Sequence, residues 1–135
     1  MRQFKTSCAR EKLKEIREFV AEVLSGMGVE EKESHKIILA VDEVCANLII
    51  HSNKCQASER LELFVEDHGE HEVFFEIIDY GQGFEYDNYE EPDLEEIIRT
   101  RKKGGLGIML VRNIMDKVEF KIEKNRNICR MMKKF

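Results

Sequence analysis

The chain has 135 residues, 42% of them hydrophobic and 36% charged, with a formal net charge of −5 at pH 7. That length suits a single domain spanning 1–135 around one core. The acidic balance argues against a general nucleic-acid binder, and no run approaches the roughly 18 apolar residues of a membrane span. The N-terminus, MRQFKTSCAREK, has no apolar stretch of a secretory leader. Cys8, Cys45, Cys55 and Cys129 are scattered, none in a Cys-x-x-Cys pair, and read as reduced thiols of a cytoplasmic protein.

In chain order, residues 2–7 read as a short strand. Residues 9–25 carry a helical apolar stripe (Leu13, Ile16, Phe19 or Val20, Val23, Leu24), closed by Gly26 and Gly28. A longer helix follows from about Glu31, and Ile37, Val41, Val44 and Leu48 line one of its faces. Glu43 and Asn47 sit four residues apart on this helix, so they project from one stripe at the rim of the apolar face. His51 extends the stripe by a turn and reads as a packed structural histidine. Asn53–Ser58 reads as a turn.

Residues 59–67 alternate around Leu61, Leu63 and Val65, and residues 72–79 are rich in β-branched and aromatic side chains. The Asp67-His68-Gly69-Glu70 link makes them an antiparallel hairpin. Residues 85–96 hold seven acidic residues, no base and the chain's one proline, Pro92. They read as an excursion from the packed chain, with a short helix over 93–100. A basic group (Arg99, Arg101, Lys102, Lys103) leads to Gly104-Gly105-Leu106-Gly107 and a helix to about Asp116. Residues 118–124 and 127–134 read as a closing hairpin. The predicted architecture is an α/β (α+β) two-layer sandwich: a mixed, mostly antiparallel sheet with helices on one face.

Three short patterns carry chemistry. Asn47 offers an amide oxygen suited to magnesium, which takes few protein ligands and shares its shell with water and phosphate. Glu43, one turn away, can take a proton from a hydroxyl. Zinc is disfavoured, because the usual His and Cys ligands are missing. In Asp79-x-Gly81-x-Gly83-Phe84, the strand-end carboxylate can accept from an amine such as that of adenine, and the glycines let the backbone approach a flat ligand. Gly104-Gly105-Leu106-Gly107 opens a helix and presents free N–H groups to an anion. It is neither a P-loop nor a dinucleotide fingerprint.

In this order, the three patterns resemble the Bergerat ATP-binding fold of gyrase, Hsp90, histidine kinases and MutL. Within it, the chain is most similar to the small bacterial anti-sigma-factor serine kinases, through Glu43-x-x-x-Asn47-x-x-x-His51 and Gly104-Gly105-Leu106-Gly107-Ile108 followed by Val111-Arg112-Asn113-Ile114-Met115-Asp116. The resemblance implies that Asn47 holds Mg²⁺, Glu43 is the catalytic base and Asp79 reads adenine in a pocket shaped by Gly81, Gly83 and Phe84. Residues 85–103 become a lid over ATP, and Gly105 and Gly107 meet the phosphates. The implied activity is transfer of the γ-phosphate to a serine of an antagonist protein. A nucleotide-bound homodimer is implied to sequester a sigma factor. The closing hairpin departs from the pattern: Asn125-Arg126-Asn127-Ile128-Cys129 has no Gly-Thr on the adenine side. Two other readings are a nucleotide-dependent binding switch without transfer and a trans-acting histidine-kinase catalytic domain.

Overall fold

The computed structural model describes residues 2–49, 59–80, 104–123 and 126–135, with backbone alone at 104–106. The predicted turn at 53–58, His51, Cys55, Gly81, Gly83, Phe84 and the lid with its short helix lie outside the described residues.

β1 (Arg2–Ser7) is the predicted first strand. The helix expected over 9–25 instead begins as a 3-10 turn at Arg10–Lys12 and becomes α1 only at Leu13–Gly26. The physical reason is the missing cap: Ala9 has no side-chain acceptor, and the turn closes by the tighter bond from Lys12 N to Ala9 O. The other end of α1 is well closed. Gly28 adopts φ +77°, its N–H donates to Ser25 O, and Val29 N–H donates to Leu24 O. This is a Schellman motif, with buried Val29 and Leu24 supplying its apolar contact. The chain thereby turns directly into α2 (Glu31–Asn47), which widens into a π turn at Leu48–Ile49.

β2 (Arg60–Asp67) and β3 (Glu72–Asp79) form the predicted hairpin. Asp67 Oδ1 accepts from Gly69 N–H at 2.8 Å, and Glu70 and His71 both take positive φ to complete the turn. α3 (Gly104–Ile114) and then β4 (Lys117–Glu123) and β5 (Arg126–Lys134) finish the fold. The strands make one five-stranded sheet in the order β1-β2-β3-β5-β4. The sheet was expected to be mostly antiparallel, and among the described residues every pairing is antiparallel. β5 reaches β3 through the β4–β5 hairpin, which reverses its direction.

Strand periodicity sends alternate side chains to one face. Leu61, Leu63, Val65, Val73, Phe75, Ile77, Cys129 and Met131 form the inner face, all buried in the core with Ile16, Val20 and Leu24 of α1 and Ile37, Val41 and Val44 of α2. Each such side chain contributes about 1.5–3 kcal/mol on burial. α2 packs against both α1 and α3, and an ion pair from Arg17 Nη1 to Asp42 Oδ1 at 2.9 Å ties its rim to α1. The central helix therefore carries Glu43 and Asn47 beside the start of α3, and the central strand β3 ends on Asp79.

Candidate active site

α2 is held rigidly because its apolar face is fully buried, with Ile37, Ala40, Val44 and Cys45 at 0% exposure. Glu43 and Asn47 stand half-buried at the edge of that face. The glycine run was expected as a loop before a helix. In the structure Gly104–Gly107 are the first residues of α3 itself. The donors remain, since the first-turn N–H groups of a helix lack intrahelical partners.

Gly107 joins the two patterns. A Cβ placed on it would lie 2.6 Å from Glu43 Oε2, 3.6 Å from Glu43 Cδ and 3.8 Å from Asn47 Nδ2. The first turn of α3, the positive end of its dipole, thus closes directly on the Glu43–Asn47 stripe. Only hydrogen fits at residue 107 without moving the carboxylate. Asn47 Nδ2 is buried and has no hydrogen bond among the described residues. A buried donor left so costs about 1–3 kcal/mol and calls for a partner. The amide suits a ligand that carries both a cation and anionic oxygens, with Oδ1 toward the cation and Nδ2 toward an oxygen. That donor set fits magnesium bound to phosphate.

Asp79 is fully buried at the end of β3, on the inner face. Asn127 of β5, also buried, is its direct cross-strand partner. Sequence reasoning treated residues 125–129 as a departure and missed Asn127. The available sign was its place two residues before Cys129 on an alternating strand, which puts it on the buried face. Gly81, Gly83 and Phe84 lie outside the described residues.

Three thiols sit beneath this end of the sheet. Cys8, Cys45 and Cys129 are free and buried. Burial, then the charges of Asp79 and Glu59, push the Cys8 thiol from 9.0 up to about 12. Burial, then Asp42, the other two thiols and Asp79, raise Cys45 well above its ordinary value. Burial alone raises Cys129. A thiol with a raised folded pKa is neutral in both states below about pH 9. Above it the unfolded chain loses its proton first, so stability falls as pH rises from 9.0 to about 12. Cys8→Ala should therefore make the alkaline loss of stability shallower, by about 1.4 kcal/mol per pH unit within that window. Urea unfolding at a series of alkaline pH values reads this directly. An unchanged slope would mean that Cys8 is not held buried in solution.

Against this geometry, the profile of the histidine kinase-like ATPase domain family matches residues 6–133. The chain belongs to this family. Among curated relatives, the serine-protein kinase RsbW of Halalkalibacterium halodurans is 31% identical over 112 residues, which cover 78% of this chain and 66% of that protein. The serine-protein kinase RsbW of Bacillus velezensis is 27% identical over 129 residues, covering 89% of this chain and 76% of the relative. The ATPase domain described here thus spans about two thirds to three quarters of these relatives' length. Solved structures share the fold. The SiaB-SiaC complex from Pseudomonas aeruginosa superposes with a TM-score of 0.70 at 12% identity, over 98% of this chain and 88% of that one. The RsbU and RsbW domains of a Mycobacterium tuberculosis protein give 0.67 at 11%, over 99% of this chain and 32% of that one. Among the described residues, no helix of the ATPase domain is long and apolar enough to cross a membrane.

Proposed function

We propose that this chain is an ATP-dependent protein-serine kinase and anti-sigma factor. It transfers the γ-phosphate of ATP to a serine of an antagonist protein. With nucleotide bound, it sequesters a sigma factor as a homodimer. The relatives named serine-protein kinase support the activity. The observation that carries the site is the closure of Gly107 on Glu43 and Asn47.

In this reading Asp79 accepts a hydrogen bond from the exocyclic amine of adenine. The first-turn N–H groups of α3 receive phosphate oxygens. Asn47 Oδ1 would hold Mg²⁺. When bound there, such an ion would supply charge neutralisation at the phosphates. Glu43 takes the proton from the serine Oγ as that oxygen bonds to the γ-phosphorus and the bond to the bridging oxygen of ADP breaks. The serine gains the phosphoryl group, Glu43 gains the proton, and ADP leaves. Proximity supplies much of the rate, because Glu43 is fixed on a helix whose other face is core.

Calorimetry and thermal melting test the reading at its base. Saturating Mg·ATP should raise the melting temperature, since it binds the folded state alone. Asp79→Asn keeps the shape but exchanges an acceptor oxygen for a donor, and it should weaken ATP binding by ~10-fold or more, the value of a hydrogen bond to a charged group. A well-folded protein that binds no Mg·ATP would remove the proposal.

A further inference from the structure

One stripe runs the length of the wet side of α2. Lys32, Lys36, Leu39, Glu43 and Asn47 follow one another at steps of four, three, four and four residues, so they stand within about 80° of each other round the helix. Glu43 and Asn47 are half-buried in the candidate site, whereas Lys32, Lys36 and Leu39 face solvent. Leu39 is 42% exposed and is the one large hydrophobic side chain left so on a helix among the described residues. The acidic residues beside the stripe have partners: Glu31 contacts His35, Glu33 pairs with Lys133 and Asp42 pairs with Arg17. Lys32 and Lys36 take part in no ion pair among the described residues. α3 walls the stripe on one side. Gly107 abuts Glu43 at one end, and at the other Lys133 Nζ joins Glu33 to Asp116, just past α3, so the two helices run antiparallel.

We propose that this stripe is the docking track for the serine-bearing segment of the substrate protein: Leu39 takes an apolar side chain near the serine, and Lys36 and Lys32 take an acidic one beyond it. The proposal rests on the kinase reading above and adds what the substrate segment must look like. In that reading Asn47 and the first turn of α3 hold the triphosphate, so the hydroxyl reaches Glu43 from the Leu39 side. A helix rises about 1.5 Å per residue, which sets Leu39 about 6 Å from Glu43 along the axis, Lys36 roughly 10 Å and Lys32 roughly 16 Å. An extended polypeptide advances about 3.3 Å per residue and returns a side chain to the same face at every second residue. The residue two places from the serine therefore reaches Leu39. The residue four places away, at about 13 Å, falls between Lys36 and Lys32. The two lysines attract a carboxylate to a chain whose net charge of −5 otherwise disfavours one. The substrate class is a serine segment with an apolar residue at the second place and an acidic residue at the fourth, both on one side of the serine.

The probe is a set of synthetic peptides with one central serine in a glycine and alanine background, incubated with the whole chain and Mg·ATP. Two of them carry leucine at the second place and glutamate at the fourth, one on the N-terminal and one on the C-terminal side of the serine. The others exchange the leucine for glycine or the glutamate for lysine. One of the first two should be phosphorylated with a KM ~10-fold below that of its exchanged forms, the effect of one well-placed contact. Leu39→Gln should raise KM for that peptide ~10-fold, leave kcat and Mg·ATP affinity unchanged, and not affect the peptide without leucine. The Lys32→Glu, Lys36→Glu double variant should prefer lysine over glutamate at the fourth place, and the wild-type preference should shrink in high salt. These residues are exposed and their replacements are good helix formers, so the variants should melt like wild type. Equal KM values across the peptides overturn the proposal. So does transfer to none of them by a chain that phosphorylates an antagonist protein, and so does a Leu39→Gln loss that falls on kcat or on ATP affinity. A chain that binds Mg·ATP yet transfers phosphate to no peptide and no protein overturns the kinase reading itself.

Discussion

Glu43→Gln should leave Mg·ATP affinity unchanged while phosphate transfer to a serine slows by ~10²–10⁴-fold, the usual contribution of a positioned general base. The glutamine keeps length and shape at a half-buried position on α2 and loses only the ability to take a proton. Asn47→Ala should behave differently. It removes the amide whose nitrogen is buried without a protein partner among the described residues, so metal-assisted nucleotide binding should fall with it. Sequestration of a sigma factor needs no proton transfer, and Glu43→Gln should retain it. Labelled ATP, a purified antagonist protein and a pull-down separate these effects. Transfer by Glu43→Gln at the wild-type rate would reduce Glu43 to a residue at the rim of the cleft.

The second large effect belongs to Gly107. Alanine there would bring a methyl carbon to the point 2.6 Å from Glu43 Oε2. The clashing atom is the end of a flexible side chain, so the fold gives way easily and the carboxylate swings aside. Gly107→Ala should therefore melt close to wild type yet lose transfer by about 10²-fold, the cost of roughly 1 Å of misplacement at a reacting group. Because both changes act through the same carboxylate, the Gly107→Ala, Glu43→Gln double variant should be little slower than Glu43→Gln alone. Additive losses would instead place Gly107 in phosphate binding, with a matching fall in ATP affinity.

Local structure was legible wherever one face is buried and the other wet. Leu61, Leu63 and Val65 alternate because β2 is solvated on its outer side. Gly28 and Asp67-His68-Gly69-Glu70 announced their turns through residues suited to them. The stripe of Glu43 and Asn47 followed from helical spacing alone. What joins the patterns was not legible, because it is tertiary. Nothing in residues 104–107 says that α3 begins on the glycines and presses Gly107 against Glu43. Nor do residues 125–129 say that Asn127 will face Asp79, since β3 and β5 are not consecutive strands. Cys8 was missed as a core residue because a single thiol after a short edge strand has no periodicity to declare its burial.

The β3–β5 seam also sets the order in which the protein can assemble. Residues 72–79 pair on one side with residues 61–67 of the neighbouring hairpin strand, but on the other side they wait for residues 126–134, at the very end of the described chain. Closing that long loop costs conformational entropy before any pairing returns it, and such distant contacts slow folding. During synthesis β1, β2, β3 and the first two helices are complete while β3 still shows an open edge carrying Phe75 and Ile77. An exposed apolar edge of this kind is a template for pairing with other chains. The last strand therefore has two tasks: it covers the open edge of β3, and it delivers Asn127, the buried polar residue opposite Asp79.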